Sequence, residues 1–237
     1  MKILDNINNT VRDDLRVEIK RGSRVSVAAA CFSMYVYQEL RKQLEAVDLF
    51  QFIFTSPTFV KEKAEKQKRE FYIPRLSRET SLYGTEFEIK LCNEMTQRAI
   101  AKECADWIRR KAKFKSNTTG ENMMGFMTVD TGSAQTAYMP FTGFTTVDIG
   151  CERGNNTYNM VNCMEAPFSH QYMQLFNQLW NDKEKMQDVT DVVIENISTA
   201  YAENSPELIY FMTLYHGFSE FLDDISEDVL PNEATGF

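Results

Sequence analysis

Ile3, Ile7, Val11, Leu15 and Ile19 recur at every fourth position and stop short of Gly22. That spacing places them on one helical face, so a helix is expected from residue 3 to the glycine. Residues 24–32 are rich in small and β-branched side chains and predict a buried strand. Met34, Val36, Leu40, Leu44 and Val47 return to a helical period, and 49–55 form a second strand candidate ending at Ser56-Pro57. Strand, helix and strand joined by short links predict a βαβ unit in a parallel or mixed sheet. After Gly84, Thr85-x-x-Glu88 has the spacing of a capping box. Phe87, Leu91, Met95 and Ala99, then Ala101, Cys104, Ala105 and Ile108, extend one apolar stripe towards the cations at 109–113. Short strands are expected at 112–115, 125–129, 137–139 and 158–161. Helices are expected from Ser169 to Trp180, over about 186–202, and from Ser205-Pro206 onward, where serine caps and proline takes the first helical position. The expected fold is α/β: a mixed β-sheet flanked by helices over 1–183, with a charged insertion at about 58–82, and a C-terminal helical extension over 184–237.

Composition narrows the class. Hydrophobic residues make up 43% and charged residues 25% of 237, the mix of a folded globular domain. No apolar run approaches the roughly eighteen residues of a membrane span, and the first residues lack the apolar stretch of a secretory signal. Five cysteines without a Cys-x-x-Cys pair suggest reduced thiols in a cytoplasmic protein. The net charge of −8 is unevenly spread: residues 182–237 hold thirteen acids against Lys183 and Lys185. Residues 61–78 carry seven bases and three acids, and 98–115 carry seven bases and two acids. An acidic tail on a mildly basic body leaves nucleic acid open as a partner. The segment 58–82 reads first as a solvated charged helix and loop. The ending at 230–237 reads as a cut through a longer chain.

Candidate chemistry is sparse. His170 and His216 are the only histidines, and each reads as a packed or surface residue rather than a general base. There is no Gly-x-Ser-x-Gly elbow, no His-Glu-x-x-His helix and no Gly-x-x-x-x-Gly-Lys phosphate loop. Gly132-Ser133 and the Gly150/Gly154 pair read as turns. The spacings Cys92/Cys104 and Cys151/Cys163 match no ligand pattern, so no metal is expected.

Order and spacing do carry a resemblance. The segments 27–33, 123–130 and 141–150, and the closing Phe176-Asn-Gln-Leu-Trp180, resemble one half of a phospholipase D-like domain over roughly 22–183. That family's chemistry resides in His-x-Lys-x-x-x-x-Asp followed by a Gly-Ser-x-Asn turn. The histidine attacks a phosphodiester, while lysine and asparagine hold the phosphate oxygens. In this sequence Met123 stands at the histidine position, Gly125 at the lysine position and Gly143 at the asparagine position; Asp130 alone is retained. A thioether is neither a nucleophile towards phosphorus nor a proton carrier, and glycine supplies no cation. The resemblance therefore implies a catalytically silent member, with an active phosphodiesterase or nuclease the least favoured reading. On either reading, Met123, Met124, Phe126 and Met127 are expected to fill a core and Asp130 to serve a turn or cap. Strands around Gly125 and Ala137 are required to lie side by side in the sheet that begins at Val25.

The segments 100–115, 207–215 and 230–237 resemble the N-terminal region of bacterial Snf-type superfamily-two helicases, where such a domain precedes two motor lobes. ATP and magnesium would belong only to those lobes, because this sequence holds no phosphate-binding loop and no acidic Walker-B segment. The implied role is a non-catalytic accessory domain that positions DNA or RNA or restrains the motor, with the downstream lobes as partners. Arg109, Arg110, Lys111, Lys113 and Lys115 are the candidates for phosphate contacts, and Trp107 and Phe114 could stack on bases, although core packing suits both better. The alternative is a protein-interaction or homodimerisation module with no nucleic-acid role.

Overall fold

The computed structural model describes residues 1–56, 86–119, 121, 123–152 and 160–199, with backbone alone over 86–96 and at 199. The charged segment 58–82, Thr85 and the Glu88 side chain of the capping box, the helix expected from Ser205, His216 and the ending at 230–237 all lie outside the described residues.

The first expected helix is split in two. Lys2–Leu4 is a strand (β1) and Val11–Glu18 a helix (α1). Between them the Asp5 carboxylate accepts the N–H groups of Ile7, Asn8 and Asn9 at 3.0, 2.9 and 2.9 Å. Asn6 adopts φ 54°. An aspartate that satisfies three successive N–H groups offers the backbone a turn in place of a helix. Helical spacing thus leaves Ile3 and Ile7 exposed. Thr10 caps α1, its hydroxyl accepting from Asp13 N at 3.1 Å.

Arg24–Ala29 (β2) and Leu49–Phe54 (β3) pair in parallel, as expected of the βαβ unit. The intervening helix breaks at Leu40 into Met34–Glu39 (α2) and Arg41–Ala46 (α3). Val36, Leu40, Leu44 and Val47 remain buried throughout. Glu86–Lys111 (α4) leads directly into Ala112–Asn117 (β4), parallel to β3. Phe126–Asp130 (β5) and Gln135–Met139 (β6) form a hairpin. Val161–Glu165 (β7) starts later than expected, and Phe168–Asn181 (α5) follows it. Met186–Asp188 is a strand (β8) where helix was expected, and Thr190–Thr199 is helical (α6).

The eight strands form one mixed sheet in the order β1-β7-β6-β5-β2-β3-β4-β8, parallel only across β2, β3 and β4. β5 pairs with β2 (Val27 opposite Met127) and with β6 (Thr128 opposite Ala137). The adjacency required around Gly125 and Ala137 is therefore present. β8 and α6 lie beyond residue 183 yet belong to the same body: β8 pairs with β4, and Val189 and Val193 join the main core. That body is one compact unit over Met1–Tyr201.

One sheet face builds the main core with α1 to α4 and α6. Phe50, Phe52 and Phe114 are fully buried there, and Phe32 packs edge-on to Phe114 with ring centroids 5.1 Å apart. Trp107 donates its indole N–H to Leu44 O at 2.9 Å, tying α4 to α3. The other face carries a smaller cluster under α5: Ala28, Ile53, Phe126, Phe176 and Met186. No helix of the described residues is long and apolar enough to cross a membrane.

Candidate functional site

Of the four positions that the resemblance assigns to chemistry, Gly125 and Gly143 meet where β2 ends, β5 begins and the segment after β6 folds back. Ala30 N donates to Thr142 O at 2.9 Å, Phe144 N to Cys31 O at 2.8 Å and Ser33 N to Phe144 O at 3.0 Å. These bonds zip residues 142–144 onto the end of β2. Phe141 N donates to Gly125 O at 2.9 Å, fastening the same segment to the start of β5.

This closure leaves no space for the family's side chains. A Cβ on Gly125 would lie 2.0 Å from Phe141 O and 3.2 Å from Ala28 O. Both obstacles are backbone, so a lysine here requires the strand end and the returning segment to separate. A Cβ on Gly143 would lie 2.5 Å from Asp148 Oδ2 and 2.8 Å from Cys31 Sγ. Aspartate and cysteine already occupy the volume that an asparagine would need.

Asp148 belongs to a single helical turn. Its N–H donates to the Thr145 hydroxyl at 3.2 Å, and that hydroxyl donates a short bond back to its carboxylate. The N–H groups of Thr145 and Gly143 also point to the carboxylate. Desolvation nevertheless dominates and raises the Asp148 pKa above the usual carboxylate value, against the lowering effect of these donors. Cys31 is an exposed residue; desolvation first, and the Asp148 charge second, hold its thiol above its ordinary range. A thiol shifted in that direction is a weak nucleophile at neutral pH.

The remaining expected residues scatter. Phe126 and Met127 are buried on opposite faces of the sheet, and Met123 packs half-buried beside the α5 cluster. Met124 departs from the expected core filling: it precedes β5, escapes the strand's alternation and is 59% exposed. Asp130 closes the β5–β6 turn, accepting Gly132 N at 2.8 Å, with Gly132 at φ 80°. His170 is exposed in the first turn of α5.

The five cations do not share one surface. Arg109 pairs with Asp106 at 2.7 Å and Arg110 with Glu45 at 2.9 Å. Lys111 caps the end of α3, donating to Glu45 O at 2.6 Å and Val47 O at 2.8 Å. Beyond the helix–strand junction, Lys113 and Lys115 project to the α5 face, because Phe114 between them enters the main core. Lys115 donates to Trp180 O at 2.7 Å and lies 4.8 Å from the Trp180 ring centroid. Trp107 and Phe114 are fully buried, so neither presents a face to a base. Two features escaped the sequence reading: the Lys115–Trp180 contact, which no local spacing signals, and the Thr145-x-x-Asp148 turn, which has capping-box spacing.

Among the described residues no group of three or more His, Cys, Asp or Glu side chains is arranged to hold a metal ion. The four described cysteines are free thiols. No family model matches the chain, and no curated protein matches its sequence.

Proposed function

We propose that this chain is a catalytically silent accessory domain of phospholipase D-like descent, placed ahead of the motor lobes of a bacterial Snf-type helicase. In a cytoplasmic setting it positions nucleic acid or restrains the motor. The observation that carries this reading is the closure at Gly125, where a Cβ would stand 2.0 Å from a backbone oxygen. A site that holds a phosphodiester needs a cation and a nucleophile facing open space, and here the corresponding positions are backbone contact and a thioether. The β2–β5–β6 pairing supports the same descent.

The test is twofold. Incubation with a chromogenic phosphodiester should give no hydrolysis above buffer; turnover that survives substitution of both His170 and His216 overturns the silent reading. Fluorescence anisotropy should detect binding of a short labelled oligonucleotide at low salt, and no measurable affinity removes the nucleic-acid role. The alternative of a protein-interaction module would draw on exposed apolar side chains such as Met124, Met160 and Phe168, which are 59%, 58% and 61% exposed. A dimer insensitive to salt in sedimentation would support it.

A further inference from the structure

The α5 face of the sheet is polar in a way that folding does not require. Parallel strands covered on both faces are apolar throughout, yet β2, β3 and β4 direct Arg24, Ser26, Gln51, Lys113 and Lys115 away from the main core. Register sets Ser26, Gln51 and Lys113 in one row across the three strands, with Arg24 two residues back along β2. None of these strands, six residues each, contains an aspartate or glutamate.

The helix on the same face is equally free of acids. α5 has fourteen residues and no Asp, Glu, Lys or Arg. Its exposed positions include the amides Gln174, Asn177 and Gln178. A surface helix ordinarily carries charges on its outer side, and in this chain acids outnumber bases by 34 to 26. Lys115 links strand and helix through Trp180 O and the Trp180 ring. Arg24 and Lys113 are exposed, and neither pairs with a carboxylate of the described residues. The flanking strands bring two carboxylates to the edges of this face, each held by a neutral backbone donor. Asp130, opposite Arg24, accepts Gly132 N at 2.8 Å, and Asp188, opposite Lys115, accepts Thr190 N at 2.9 Å.

We infer that this face, to which β2, β3, β4 and α5 contribute no carboxylate, is where a nucleic-acid strand lies, its phosphates against Arg24, Lys113 and Lys115 and its sugars and bases against the α5 amides. The inference rests on the nucleic-acid reading proposed above and relocates the contact from the five-cation run to the face of β2–β4 and α5. Charge complementarity favours a polyanion: Arg24 and Lys113 are exposed cations without a carboxylate partner among the described residues, and the carboxylates of Asp130 and Asp188 stand only on the flanking strands. Exposed amides suit hydrogen bonding to bases and sugars.

The experiment is anisotropy of a short fluorescein-labelled single strand, and of the matching duplex, on the full chain. Three phosphate contacts on a single strand predict roughly twentyfold weaker binding between about 50 and about 200 mM salt. Lys113→Glu and Gln178→Glu, both at exposed positions, should each weaken binding at least about fivefold at low salt, while Arg109→Glu should change it less than about twofold. Unchanged melting temperatures exclude unfolding; Gln174→Glu serves as the second acid on the helix if Gln178→Glu fails to fold. Undiminished binding in the Lys113 and helix variants, with loss on substituting Arg109 and Arg110, overturns this surface and leaves the nucleic-acid role standing. No binding by the unaltered chain overturns both.

Discussion

Two carboxylates, Asp14 buried and Asp148 half-buried, are held by different means. Asp14, on α1, has a side chain only 4% exposed and receives the Lys2 ammonium, the Tyr138 hydroxyl at 3.0 Å and the Cys163 thiol at 3.6 Å. Asp148, in the turn after β6, is surrounded by neutral donors: the Thr145 hydroxyl and the N–H groups of Thr145 and Gly143. The first carries a cation from another element; the second organises its own turn. Burial and the negative charge of Asp14 push the Tyr138 hydroxyl well above the ordinary tyrosine value and the Cys163 thiol up to about 12. Both groups therefore stay protonated as donors at neutral pH. A charge compensated by another element fastens α1 and β1 to the sheet, whereas one compensated locally shapes a loop and leaves the carboxyl free to respond to pH.

Removing the long-range carboxylate should have the largest effect. Asp14→Ala leaves the fully buried Tyr138 hydroxyl without its acceptor and Lys2 without its partner, and should cost about 3 kcal/mol in denaturant unfolding. The complementary change, Lys2→Met, leaves the carboxylate buried with two neutral donors and should cost about 2 kcal/mol, less than a fully buried pair because Lys2 is half exposed. Equal stability of the Asp14→Ala protein would mean that the α1 clasp contributes nothing.

The closed end of the sheet comes next. Gly125→Ala drives a Cβ into Phe141 O and must break the bond from Phe141 N to Gly125 O, at a cost of about 2 to 3 kcal/mol. Gly143→Ala meets side-chain atoms of Asp148 and Cys31, which can rotate away, and should cost about 1 kcal/mol. Thermal melts of the two variants, compared directly, check this ranking, and a Gly143 variant less stable than the Gly125 variant would reverse it.

Much of the fold was legible in the sequence, because β2 and β3 are short apolar runs bounded by Gly22 and Ser56-Pro57, and α4 and α5 carry apolar residues at helical spacing. The failures have local physical causes. Ile3 and Ile7 share the spacing of Val11 and Leu15, but Asp5 diverts three N–H groups and ends the helix before it begins. β8 is three residues that gain their pairing only from β4, a distant strand. The helix break at Leu40 leaves the apolar stripe buried, so periodicity alone cannot reveal it. For the candidate site, the run from Arg109 to Lys115 looked like one cluster in one dimension. The junction between Lys111 and Ala112 turns a helical period into a strand alternation and divides the cations between layers. Lys115 could be assigned to phosphate from sequence, but its partner Trp180 lies 65 residues away.

The smallest effect expected tests Asp148 itself. Its pKa is raised in the folded protein, chiefly by desolvation, so the native state binds a proton more tightly than the unfolded chain does. Stability from this group must then fall as pH rises from the unfolded value of 3.8 through the folded one, and remain lower above it. Asp148→Asn removes that dependence while preserving an acceptor for the Thr145 hydroxyl. Denaturant unfolding of both proteins at pH 4 and pH 7 isolates the term, because other titrations cancel in the difference between them. The variant should compare more favourably with the unaltered protein at pH 7 than at pH 4. The opposite trend would show that the three neutral donors outweigh burial, and that this locally held carboxylate depends on pH in the same sense as one held by a cation.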